Sequence, residues 1–120
     1  MRGRPSFLDR KQCYDLWNEL GSLYKVRQNL GRQGIVNPNG SIPSESGVKI
    51  AAWKWVLYHP EEVCNRFKYR DTDNKRWLKI LDRRARDVLS TRIDRYINWR
   101  KDVYEPYAEK LCQNSPQNTD

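Results

Sequence analysis

The sequence predicts an all-α fold built around a helix-turn-helix, and three observations lead there. Apolar residues recur at three- and four-residue steps along most of the chain. Two short helical patterns meet at a single glycine, Gly21, and are followed by a turn-rich segment and a third pattern. From Asn74 to about Tyr104 neither glycine nor proline intervenes.

The elements follow in order. Residues 1–5 read as a short basic arm, and Ser6 or Asp9 is placed to cap a first helix over about 9–20, with Leu8, Cys13, Leu16, Trp17 and Leu20 on its apolar side. Gly21 stops it, and Ser22 caps a second helix over about 22–33, where Leu23, Val26 and Leu30 face inward and Gly34 supplies the left-handed position after the end. Residues 35–46 carry Asn-Pro, Asn-Gly and Ile-Pro pairs, so they must turn, and a small hairpin closed at Asn39-Gly40 is the expected form. Ser44 or Ser46 then caps a third helix over about 45–58. Its inward side is expected to be Val48, Ala52, Trp55 and Val56, with Lys49, Trp53 and Lys54 off that stripe.

Trp53 and Trp55 are two residues apart and face different sides of that helix, so at least one is expected at the surface, Trp55 being the one suited to the core. The helix ends before His59-Pro60, because the residue before proline avoids helical dihedrals. Pro60-Glu61-Glu62 makes a favourable first turn for a fourth helix over about 60–69. After Asp71-Thr72-Asp73, with Asp73 as cap, residues 74–104 read as one long basic helix whose apolar side passes through Trp77 or Leu78, Leu81, Ala85 and Ile93. Pro106 kinks or ends it, and a polar tail follows. The organisation expected is a helix-turn-helix domain over 1–70, a long helix for packing, oligomerisation or backbone contacts over 71–112, and a disordered tail over 113–120.

Composition narrows the function classes. At 120 residues the chain is too short for a large two-lobed enzyme. Lys and Arg number 23 against 15 Asp and Glu, a formal +8. The excess is concentrated: residues 66–101 hold 13 basic against 5 acidic side chains, whereas residues 102–120 hold 1 against 4. A central stretch this basic, interleaved with Phe67, Tyr69, Trp77, Tyr96 and Trp99, points to a polyanion held by phosphate contacts, the competing interpretation being an ordinary solvated helix face. No run approaches a membrane span and no apolar leader follows the N-terminus, so a cytoplasmic protein, in the host cytoplasm if viral, is expected, with no membrane partner.

The chemistry of catalysis is not legible. Cys13, Cys64 and Cys112 form no CxxC or CxxH pair and are expected as reduced, partly buried thiols. His59 is the single histidine and suits a helix boundary rather than a base. Asp71, Asp73 and Asp82 lack the spacing of a metal loop, and no phosphate-cradling glycine motif occurs. The expectation is therefore no enzyme, no catalytic residue, no metal and no cofactor. Groove readout in a helix-turn-helix uses the first turns of the third helix, which here places Ser44, Glu45, Ser46, Lys49 and Ile50 toward base edges and Lys54 toward a phosphate, with Arg83 and Arg84 of the long helix on the backbone.

The run from Gly21 to Ile35 (Gly-Ser-Leu-Tyr-Lys-Val-Arg-Gln-Asn-Leu-Gly-Arg-Gln-Gly-Ile), with Asn39-Gly40, Pro43-Ser44 and Val48 beyond it, resembles the DNA-binding domain that follows the catalytic domain of large serine recombinases. It is also similar to small phage helix-turn-helix proteins, including small terminase subunits. The resemblance covers roughly residues 9–60. It implies DNA contacts from Asn37, Asn39, Ser44, Ser46 and Lys49, and the terminase likeness implies a homo-oligomer. Recombination chemistry is not carried over, since no catalytic domain is present, and the third helix is longer and carries Trp53 and Trp55. The function expected is double-stranded DNA binding, as a phage-type regulator or packaging factor. The alternatives are a module docking on an acidic protein partner, such as a host enzyme, and an RNA-binding protein.

Overall fold

The computed structural model describes residues 8–64, 67, 69, 70 and 72–113, apart from the side chains of residues 112 and 113. The expected basic arm and the tail beyond residue 113 lie outside the described residues. The fold is all-α, with no strand among the described residues. Helices α1 (Arg10–Leu20), α2 (Leu23–Arg32), α3 (Glu45–Tyr58) and α4 (Asn74–Val88) are followed by α5 (Ile93–Trp99), which runs through a π turn at Arg100–Tyr104 into α6 (Glu105–Gln113) as one continuous rod. The chain divides into two compact units, Met1–Trp55 and Val56–Asp120.

In the first unit the helix ends follow from local chemistry. The Gln12 N–H donates to Asp9 Oδ1 at 3.0 Å and the Lys25 N–H to Ser22 Oγ at 3.4 Å, so each cap satisfies one of the amides a helix start leaves open. Gly21, at φ 77°, closes α1 by donating its N–H to the Trp17 carbonyl. α2 ends in a Schellman motif: the Ile35 N–H reaches the Leu30 carbonyl and the Gly34 N–H the Gly31 carbonyl, both at 3.0 Å, with Gly34 at φ 83°. The core beneath these ends is Cys13, Val26, Leu30, Val48 and Ala52, each no more than 1% exposed.

The segment expected to form a hairpin turns without strands. Asn37 and Ser41 pair through the Asn37 N–H and Ser41 carbonyl, and the Gly40 N–H donates to the Asn37 carbonyl, both at 2.8 Å. Pro38 fits the second position of this turn and Gly40, at φ 89°, supplies its left-handed residue. The flanking chain is anchored elsewhere, since Arg27 Nε donates to the Pro43 carbonyl at 2.7 Å, so it forms no ladder.

Trp53 corrects the sequence reading of α3. It is 1% exposed and meets Trp17 edge-on at a centroid distance of 6.5 Å, while Trp55 stacks on Tyr14 at 4.5 Å and 22°. Both indoles are buried because α3 is covered on almost every side, Val48, Ala51, Ala52, Val56 and Leu57 all being buried as well. A helix surrounded in this way has no single apolar stripe to read.

The second unit departs from expectation twice. Of the fourth helix expected over 60–69, the described residues form only a 3-10 turn, Pro60–Glu62, after which Val63 becomes extended at ψ 122° and buries its side chain. Propagating a helix from one turn needs a packed apolar face, which Glu61 and Glu62 do not offer. The long helix expected over 74–104 is broken. α4 ends at Val88, Ser90 Oγ donates to the Asp87 carbonyl at 3.2 Å, and Arg92 is extended at φ −135°, ψ 89°. A serine hydroxyl that takes a backbone carbonyl offers the chain an alternative to the helical ladder.

The break lets α5 and α6 fold back on α4. Trp99 Nε1 donates to the Leu57 carbonyl at 2.7 Å and Trp77 Nε1 to the Tyr107 hydroxyl at 2.8 Å, both in the interior. Leu81, Ala85 and Phe67 fill the space around them. Pro106 neither ends nor breaks the last rod: it has no N–H to give, and the wider π turn just before it, closed by the Glu105 N–H on the Arg100 carbonyl, accommodates the missing bond.

Candidate nucleic-acid interface

α4 is strongly two-sided. Trp77, Leu81 and Ala85, four residues apart, are each fully buried. Asp73 fixes its start, accepting from the Arg76 N–H at 2.8 Å. On the opposite side stand Arg76, Lys79 and Arg83, which by helical geometry fall within about 60° of one another and span about 10 Å. None of the three forms an ion pair with any of the described residues. With Tyr69, Ile80, Arg84 and Asp87 they line an open groove of about 590 Å³. The Arg84 guanidinium lies over the Tyr69 ring, 5.5 Å from its centroid.

Four other cations of this unit, Arg86, Arg92, Arg100 and Lys110, are paired with acids. Asp82, whose side chain is 16% exposed, accepts at Oδ1 from the Tyr96 hydroxyl at 2.6 Å and from Arg100 Nη1 at 2.9 Å, and its Oδ2 pairs with Arg86 Nη2 at 3.1 Å. Burial pushes the Asp82 carboxyl up, but the hydrogen bonds from Tyr96 and Arg100 and the charges of Arg86 and Arg100 outweigh it and hold the group below the ordinary aspartate value. The Arg100 guanidinium is correspondingly raised, chiefly by its hydrogen bond to Asp82. The Lys110–Glu61 and Arg92–Asp94 pairs are exposed and take two more cations out of the free charge.

In the first unit the residues expected to touch DNA divide by role. Asn37 Nδ2 donates to Ser41 Oγ at 2.9 Å and the Ile42 carbonyl at 3.3 Å, and Asn39 Oδ1 accepts from the Ser41 N–H at 3.0 Å, so both side chains hold the turn. Ser44 is the cap of α3, its Oγ accepting from the Gly47 N–H at 3.0 Å. Ser46 is exposed, and Lys49 and Lys54 are half-buried. A groove of about 330 Å³ brings Asn37, Ser44 and Lys54 together with Leu8, Arg10 and Ile50; Asn39, Ser46 and Lys49 do not line it.

Arg83 and Arg84 line the α4 groove together with Tyr69, one of the aromatics interleaved with the basic stretch, and with Arg76 and Lys79, which the sequence reading did not single out. Their signal was present: cations at steps of three and four directly opposite Trp77, Leu81 and Ala85. Among the described residues no group of three or more His, Cys, Asp or Glu side chains is arranged to hold a metal, and no helix is long and apolar enough to cross a membrane. Compared with protein-family models, with curated proteins and with solved structures, the chain finds no match.

Proposed function

We propose that the chain binds double-stranded DNA, with α4 as its electrostatic element and the first turns of α3 as its reading element. The observation that carries this is the row Arg76, Lys79 and Arg83, three cations on one face without an acidic partner among the described residues. Cations held in a row displace the counterions condensed on a phosphate backbone, and the ions released drive binding. A rigid helix stitched to the core by Trp77 and Leu81 holds them in place before binding.

Readout falls to the side of α3 where Ser46 and Ile50 are exposed, with the half-buried Lys49 and Lys54 at its edges. Ile50, 44% exposed, suits contact with a thymine methyl, and Lys49 with a guanine edge. In this reading α1 to α3 act as a helix-turn-helix of the phage type, in the cytoplasm, serving regulation or packaging without catalysis. Lys49→Ala is expected to relax sequence preference, whereas replacing Arg83 and Arg84 by Ala weakens all sequences alike. Absence of salt-dependent retention of duplex DNA overturns the proposal.

A second reading, contact with a protein, is favoured by one observation. Ile93 and Ile97, one turn apart on α5, are 67% and 55% exposed. They form an apolar pair suited to a second copy of the chain or to another protein partner.

A further inference from the structure

Two features of the α4 groove are not explained by phosphate contacts. The first is an aromatic ring in a cationic cleft. Tyr69 is half-buried, braced by Phe67 at a centroid distance of 5.7 Å, and Phe67 is itself 1% exposed, so the Tyr69 ring is held against the core; the Arg84 guanidinium lies over it, 5.5 Å from its centroid, and a base that stacks there takes the place of that flexible side chain. The second is an acid among cations. Asp87 is exposed in the same groove and lies one turn beyond Arg83, yet forms no ion pair with any of the described residues. A carboxylate there repels phosphate; it is an acceptor only, and what it can take is an N–H.

We infer that this groove seats one unpaired nucleotide, with its base stacked on Tyr69, an exocyclic amine of that base donating to Asp87, and the adjoining phosphates on Arg76, Lys79 and Arg83. The inference rests on the DNA-binding reading and narrows it to DNA in which a single strand leaves a duplex. The faces of paired bases are hidden inside the stack, so only an unpaired base can lie on a tyrosine. The groove, at about 590 Å³, is within the size range of small-molecule sites, and Ile80 adds an apolar wall beside the ring. Adenine, cytosine and guanine each carry an exocyclic amine and thymine carries none, so Asp87 gives the seat a preference against thymine.

The test uses the full chain, fluorescence anisotropy, and one duplex bearing a four-nucleotide extension in which the sugars carry either cytosines or no bases. Phosphate number is the same in both probes, so any difference reports the bases. The expected result is binding roughly five- to a hundredfold tighter with bases present. A 2-aminopurine placed in the extension is quenched on binding. Tyr69→Leu brings the two affinities together and leaves 2-aminopurine bright, and Tyr69→Phe retains the difference. A thymine extension binds more weakly than a cytosine one, and Asp87→Ala abolishes that gap.

Equal affinity of the unaltered chain for both probes, with salt-dependent binding retained, overturns the nucleotide seat and leaves the duplex reading intact. Absent or salt-independent binding of both probes overturns the seat and the duplex reading together. If Tyr69→Leu does not fold, the thymine comparison in Asp87→Ala, a substitution at an exposed position, and the 2-aminopurine signal of the unaltered chain decide the matter.

Discussion

The Tyr96 hydroxyl donates to Oδ1 of Asp82 at 2.6 Å, although fourteen residues separate them. In a continuous helix that separation spans about 21 Å. The contact therefore exists only because the chain reverses between α4 and α5, and it joins the two rods through the same carboxylate that Arg100 and Arg86 share. Tyr96→Phe removes the donor and keeps the ring. It is expected to destabilise the protein by about 1.5 kcal/mol, the low end for a hydrogen bond to a charged group, because Arg86 and Arg100 still pair with the carboxylate. Urea unfolding followed by tryptophan fluorescence should show a lower midpoint with an unchanged slope.

Stability should also depend on acid through the same residue. The Asp82 carboxyl is held below its ordinary value in the folded chain, the bonds from Tyr96 and Arg100 and the neighbouring guanidinium charges overcoming the upward push of burial. Its contribution is thus fully present above the unfolded aspartate value of about 3.9 and is lost as pH falls through the lower folded value. Other carboxylates titrate in that window, so the informative quantity is the difference between the unaltered chain and Asp82→Asn. Thermal melts should show the two drawing together as pH falls below about 4; a gap of constant size at pH 7 and pH 2 contradicts this account of Asp82.

Gly31 occupies the last turn of α2, where alanine has a helix propensity better by about 1 kcal/mol. A Cβ there stands 2.6 Å from Ile42 Cγ2, on a β-branched side chain with little freedom to move aside. Gly31→Ala is expected to destabilise by about 1–3 kcal/mol, the usual cost of overpacking. In an Ile42→Ala background the same change should become neutral or stabilising, a coupling that a double-mutant cycle measures directly.

Cys13 is fully buried, and burial, aided by the Asp9 charge, pushes its thiol up to about 11. The thiolate is the reactive species, so iodoacetamide at pH 8 should leave Cys13 unmodified in the folded protein and label it once urea unfolds the chain. Mass spectrometry of peptides containing Cys13 reads the outcome. Rapid labelling under native conditions is incompatible with the packing of α1 described above.

What was legible in the sequence is what local chemistry decides. The caps at Asp9, Ser22 and Asp73 and the glycine ends at Gly21 and Gly34 need only neighbours within five residues, and all are found where the sequence places them. The reversal at Ser90-Thr91 was not legible, because neither residue forbids a helix and the break is stabilised by contacts such as Tyr96 to Asp82 that form only after it. Trp53 was misplaced for a related reason: a helix covered on nearly all sides has no outward stripe, and its burial against Trp17 is a tertiary fact. In the candidate site, Arg83 and Arg84 were legible from the density of charge. Arg76 and Lys79 carry the same helical spacing opposite Trp77 and Leu81, whereas the place of Tyr69 beside Arg84 is a tertiary fact.

The affinity of the chain for a mixed-sequence duplex as a function of salt tests the central claim most directly. If Arg76, Lys79 and Arg83 hold phosphates, the logarithm of the binding constant falls linearly with the logarithm of salt concentration, and replacing Lys79 and Arg83 together by Ala flattens that slope by about 2. An unchanged slope in the double variant, or binding indifferent to salt in the unaltered chain, contradicts the assignment of the α4 face to DNA.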